Sequence, residues 1–200
     1  MNSPVRALAQ SYVASWWKRL AGRVQGGRVL EVGCGGGAGV RIILERFGAA
    51  EVEAIDLDPK MIESARQRLS SYGLARVQLA VGDATSLKAG DARFDAVFDF
   101  GAIHLERSWQ KALAEVARVL KPGGRFFFEL VTSRALRLSY PLLTESFARM
   151  EPPNPDLFIK ELERQGIMVG QSFVRPKLAA LTGWVGDLIG VGWVTEPSRR

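Results

Sequence analysis

The chain reads as an α/β protein, a Rossmann-like doubly wound sheet, mostly parallel, with helices on both faces. Three observations predict it. Short strand-like runs alternate with segments whose apolar residues recur at helical spacing, and strand–helix–strand repetition builds a parallel sheet covered on both sides. The first run, Arg28 to Gly33 (RVLEVG), is short and β-branched, the mark of a buried strand. That run ends in a glycine cluster, Gly33-Cys34-Gly35-Gly36-Gly37, placed where parallel sheets bind ligands beyond the carboxyl ends of their strands.

Residues 1–27 form an amphipathic N-terminal cap, with Leu8, Tyr12, Trp16 and Leu20 at i, i+4, i+8 and i+12. The main domain, residues 28–200, begins with the first strand. Val40, Ile43, Leu44 and Phe47 then mark one face of a helix stopped by Gly48. Glu51 to Asp56 is the second strand. Asp58 and Pro59 supply an N-cap and a first-turn proline to a helix that buries Ile62, Ala65 and Leu69. Arg76–Val81, Phe94–Asp99 and Arg125–Val131 are strands three to five. Before the fifth, Leu113, Val116, Ala117 and Leu120 share a helix face; Lys121 complements the helix dipole and Pro122-Gly123-Gly124 ends it. Residues 133–156 are too long for an ordinary loop and read as a lid insertion. Leu157–Gln165 is helical, and Ile167–Val174 and Trp184–Val194 complete seven strands.

With 47% hydrophobic and 24% charged residues, composition excludes a disordered or low-complexity chain. The net charge of +6 is compatible with nucleic acid, an anionic lipid surface or an acidic small substrate. The excess is mostly scattered arginine, apart from an acid-free stretch from Met1 to Leu30. Cys34 is the only cysteine. This excludes an intramolecular disulfide or a Cys-rich zinc site and fits a reducing compartment. With no signal-peptide core and no run near the roughly 20 apolar residues of a membrane span, a cytoplasmic protein is expected.

Gly33, Gly35 and Ala38 match the G-x-G-x-x-G/A pattern, and Asp56 lies 21 residues past Gly35, where a ribose-binding acid is expected. Glu31, two residues before Gly33, would repel a pyrophosphate and favour a cationic group such as an α-ammonium; the other reading makes it an acceptor for loop amides. Asp83 ends the third strand, where an exocyclic adenine amine would donate to it.

Taken together, VLEVGCGGG, AIDLDPKMIESAR, GDA, FDAVFDF and RVLKPGG, in this order and spacing, resemble the class I S-adenosylmethionine-dependent methyltransferases. The similarity is closest to the small-molecule, ubiquinone/menaquinone-methylase-like branch and covers about Arg28 to Val131. It implies a sheet ordered 3-2-1-4-5-7-6 with an antiparallel last strand, S-adenosyl-L-methionine as methyl donor and S-adenosyl-L-homocysteine as product. It also implies that Gly33, Gly35 and Gly37 flank the methionine part, that Asp56 binds the ribose, and that Leu57 and Met61 lie beside the adenine. Asp83 and Ala84 would serve the adenine amine and its neighbouring acceptor, and Asp99 and Phe100 would face the methyl group. Asp99-Phe100-Gly101-Ala102 departs from the Asn/Asp-Pro-Pro-aromatic element of amino-methylating DNA and protein enzymes. The position of Cys34 leaves no Pro-Cys nucleophile for cytosine, and a single cysteine excludes the multi-thiol arsenic methylators.

His104, the only histidine, follows the fourth strand and is either a general base or a packing residue. Tyr12, Arg134 and Tyr140 are candidate acceptor contacts, Tyr12 being alternatively core. Displacement at a sulfonium methyl needs alignment and water exclusion more than an acid–base set, which suits a chain with one histidine. The modest lid favours a small-molecule acceptor over nucleic acid. Three rival readings stand beside this one: an NAD(P)-dependent oxidoreductase, an RNA methyltransferase that uses the basic excess, and a non-catalytic cofactor-binding module.

Overall fold

The computed structural model describes residues 4–73, 75–131, 153–174 and 188–195. Strands β1 (Arg28–Val32), β2 (Glu51–Asp56), β3 (Val77–Val81), β4 (Phe94–Asp99), β5 (Leu120–Leu130), β6 (Ile167–Val174) and β7 (Leu188–Val194) form one sheet in the order β3-β2-β1-β4-β5-β7-β6. β1 to β5 pair in parallel, while β7 runs antiparallel to both β5 and β6. Strand number, order and the reversed last strand all agree with the sequence-based expectation.

The helices are α1 (Pro4–Ala21), α2 (Ala38–Ile42, continued by a π-helical turn, Ile43–Phe47), α3 (Pro59–Leu69), α4 (Trp109–Val119) and α5 (Pro155–Arg164). Their ends follow from local chemistry. Gly48 closes the α2 segment in the left-handed region. The Asp58 carboxylate accepts from the Lys60 N–H at 2.8 Å and Asn154 Oδ1 from the Leu157 N–H at 2.8 Å, each capping a helix that starts with proline.

One boundary differs from expectation. Leu120 is not the last turn of α4; it pairs with Phe94 and opens β5, after which the register jumps to Ala96 opposite Arg125. Pro122 has no N–H to give the ladder and Gly123 takes φ 72, so the Pro-Gly-Gly step forms a bulge inside the strand.

The core has two parts, one on each face of the sheet, because successive strand residues point to opposite sides. Phe98 and Phe127 stack at 4.3 Å between centroids under Trp17 and Phe47 on the α1–α2–α3 side. Phe126, Phe128, Trp109 and Phe158 fill the α4–α5 side. The apolar stripe expected on α1 is displaced by one residue. Leu8 is 71% and Tyr12 43% exposed, whereas Ala9, Val13, Ala14 and Trp17 are buried. Small residues let the helix approach the sheet closely, and Trp17 gains a partner for its indole N–H, which donates to the Phe128 carbonyl at 3.3 Å. Tyr12 therefore stands outside the core, edge-on to Trp16.

No helix occurs among residues 82–93, between β3 and β4, so this end of the sheet carries a groove of about 590 Å³ on the β2–β3 face. Most of the expected lid, with Arg134 and Tyr140, lies outside the described residues. Among the described residues, no helix is long and apolar enough to cross a membrane.

Candidate active site

A crevice of about 340 Å³ opens at the carboxyl ends of β1, β2 and β4. Its walls are the glycine loop, the start of α3 with Met61, the turn Phe100–Ala102, and Ala7 and Gln10 from α1. The loop's shape is fixed by its glycines. Gly33 has φ 68, and a Cβ there would lie 2.2 Å from that of Ala102; one on Gly37, at φ 80, would lie 2.8 Å from Leu69 Cδ1.

Asp56 ties this loop to β2. Its Oδ2 accepts from the Gly35 N–H at 2.8 Å and its Oδ1 from the Asp58 N–H at 3.0 Å. A carboxylate offers about four acceptor sites, so two donors position it and leave capacity toward the crevice, which Asp56 lines. That suits a vicinal diol.

Below the loop the picture changes. Glu31 does not face the crevice or accept from loop amides: it is fully buried and both its oxygens lack a hydrogen-bond partner. It lies against α2, where a Cβ on Gly39 would come within 2.0 Å of Oε1. Burial, reinforced by Asp99 and Asp56, pushes its pKa well above the usual carboxylate range. Asp99 is likewise fully buried. It accepts from the Ala102 N–H at 2.6 Å and the Ile103 N–H at 3.3 Å, so it shapes the turn that carries Phe100 into the wall. Burial raises it to about 7 against the pull of those N–H groups, with Glu129 pushing the same way.

Leu57 is exposed at the rim. Asp83 lines the neighbouring groove, its Oδ1 accepting from the Thr85 N–H at 2.7 Å and hydroxyl at 2.8 Å, and Ala84 is buried beside it. His104 is 3% exposed in the 3₁₀ turn Ile103–Leu105, between Ala102 and Leu105, which line the crevice. The Cys34 thiol is buried and its pKa is pushed up chiefly by desolvation, which keeps it unreactive. Sequence reasoning missed Gln10; its signal was a polar residue set among Ala9, Val13, Ala14 and Trp17 on one helix face. Among the described residues, no group of three or more His, Cys, Asp or Glu is placed to hold a metal ion.

This loop–acid–turn arrangement coincides with a family match: residues 29–124 fit the model described as a methyltransferase domain. The chain is 43% identical over 105 residues to a fatty-acid O-methyltransferase of Mycolicibacterium smegmatis, a match covering 52% of this chain and 37% of that protein. It spans less than half the length of the first curated relatives it matches. Among solved structures, an S-adenosylmethionine-dependent methyltransferase from Mesorhizobium loti superposes with a TM-score of 0.73 at 20% identity, covering 92% of this chain and 99% of that one. A Burkholderia thailandensis 1,6-didemethyltoxoflavin-N1-methyltransferase, solved with bound 1,6-didemethyltoxoflavin and S-adenosylhomocysteine, gives 0.69 at 19% identity over 98% and 80%. The chain thus has the fold of these neighbours, and its crevice occupies the carboxyl edge of the sheet.

Proposed function

We propose that the chain is an S-adenosylmethionine-dependent methyltransferase acting on a small-molecule acceptor. The observation that carries this reading is Asp56, held by two backbone N–H groups at the tip of β2 beside a glycine turn that has no room for a side chain. The residues fit the cofactor: Asp56 would accept from the ribose hydroxyls, Met61 would lie beside the adenine, and Asp83, whose Oδ1 is taken by Thr85, would offer its Oδ2 to the exocyclic amine. Gly33, Gly35 and Gly37 let the backbone approach the methionine chain. S-adenosylmethionine supplies an electrophilic methyl on a positively charged sulfur.

The chain's own contribution is alignment and dryness. Phe100, in contact with Trp17 at 4.7 Å between ring centroids, presents an apolar wall that excludes water from the crevice. His104, between the crevice-lining Ala102 and Leu105, is the candidate to take the acceptor's proton. The small-molecule acceptor is supported by the fatty-acid methylating relative and the toxoflavin-bound neighbour.

Titration calorimetry with S-adenosylhomocysteine and with NADH, followed by transfer of a labelled methyl group to fatty-acid, phenol and quinol acceptors, tests the reading. The homocysteine compound is expected to bind and NADH to give no heat. Tight NADH binding without affinity for S-adenosylhomocysteine would replace methyl transfer with hydride transfer.

A further inference from the structure

Gln10 is a buried polar side chain on the sheet-facing side of α1, 8% exposed, among Ala9, Val13, Ala14 and Trp17. It lines the crevice together with Gly33, Gly101 and Ala102. Its Oε1 is sealed from solvent and accepts no hydrogen bond. A buried carbonyl in that condition costs stability until a donor reaches it, and a leucine would fill the same space without the cost. A polar group kept at this expense in the wall of a ligand crevice marks a contact to the ligand.

We propose that the Gln10 carboxamide binds the zwitterionic amino-acid end of S-adenosylmethionine, its Oε1 accepting from the α-ammonium. This rests on the cofactor reading above. The ribose donors have Asp56 and the adenine amine has Asp83, so the ammonium is the cofactor's remaining strong donor. Glu31 is fully buried and, unlike Gln10, does not line the crevice. An amide also presents a donor beside its acceptor, which matches an ammonium next to a carboxylate and adds no net charge to a crevice already lined by Asp56 and Asp58.

The test uses two probes: S-adenosylhomocysteine, and 5′-methylthioadenosine, which keeps the nucleoside and sulfur but lacks the amino-acid end. Calorimetry on wild type and Gln10→Leu is expected to show S-adenosylhomocysteine binding weakened about tenfold to a hundredfold, with methylthioadenosine binding and Tm undiminished. Gln10→Met, unbranched and of similar length, gives the same readout if the leucine variant loses the fold. Equal weakening of both probes would overturn the proposal, because the effect would then come from displacement of α1. So would unchanged affinity for both. Failure of the wild type to bind S-adenosylhomocysteine at all would instead sink the methyltransferase reading.

Discussion

At the rim of the crevice, Asp56 reaches the surface and accepts two backbone N–H bonds; just beneath the same loop, Glu31 is sealed and accepts none. Both are carboxyls near the carboxyl ends of neighbouring parallel strands, Glu31 lying opposite Ala54, two residues before Asp56. Burial separates them. At the rim an acid is held open for donors, whereas at the floor desolvation and the neighbouring carboxyls push the Glu31 pKa well above the usual carboxylate range. Asp99 stands between these cases, buried but supplied with N–H donors, and titrates near 7. Acceptor capacity for the proposed ligand therefore lies at the rim, while the floor supports the loop and turn above it.

The strongest way to break this division is to remove the rim's geometry. Gly33→Ala forces a side chain into φ 68 and against the Ala102 Cβ. We expect a loss of about 3 kcal/mol or more in chemical denaturation and no measurable S-adenosylhomocysteine binding. Retained binding would mean that the turn can relax and does not define the site. Next in size is Asp56→Asn. It keeps an acceptor for only one of the two N–H groups, sets an NH2 against the other and removes the charge, and should weaken S-adenosylhomocysteine and methylthioadenosine alike by about tenfold to a hundredfold. A loss confined to one probe would place the acid at the wrong end of the ligand.

Much of this was readable in the sequence, and the failures share a cause. Gly48, the Asp58 cap and the strand runs are local signals, so they survive into the fold. The α1 face was misjudged because Tyr12 and Trp16 look more core-like than Ala9 and Val13, yet the sheet surface selects for close approach. Strand alternation alone puts Glu31 on the same side as Val29, toward α2; its nearness to Gly33 in sequence suggested the ligand instead. The α4 boundary slipped because Pro-Gly-Gly reads as a turn, whereas here it bulges within a strand.

The floor predicts a pH dependence of opposite sign to that of a paired surface acid. Glu31 and Asp99 have raised pKa values when folded, so above the ordinary carboxylate range the folded chain holds protons that the unfolded chain has released. Stability then falls as pH rises, for Asp99 from its ordinary 3.8 up to about 7 and for Glu31 from 4.5 upward. Glu31→Gln retains the shape and removes one proton from this balance. Unfolding free energies from chemical denaturation, followed upward from pH 4.5, should fall less steeply with pH in the variant than in the wild type. An unchanged slope would mean that Glu31 is ionised in the folded state and that rim and floor are alike.

The smallest effect sharpens the comparison along the rim itself. Asp56 takes its two N–H bonds on separate oxygens, whereas Asp83 spends Oδ1 on both Thr85 donors. Asp83→Asn can keep that turn through its carbonyl, so the fold should be undisturbed. What it changes is the outward group, which becomes an N–H₂ and faces the adenine amine donor to donor. S-adenosylhomocysteine binding should weaken only about three- to tenfold, since one acceptor for a neutral amine is lost and the ribose contact persists. The inosine analogue, with an acceptor oxygen in place of that amine, should bind the variant better than it binds the wild type. If it does not, the outward oxygen of Asp83 points into the β2–β3 groove, and recognition of the base falls to Leu57, Met61 and the backbone of Ala84.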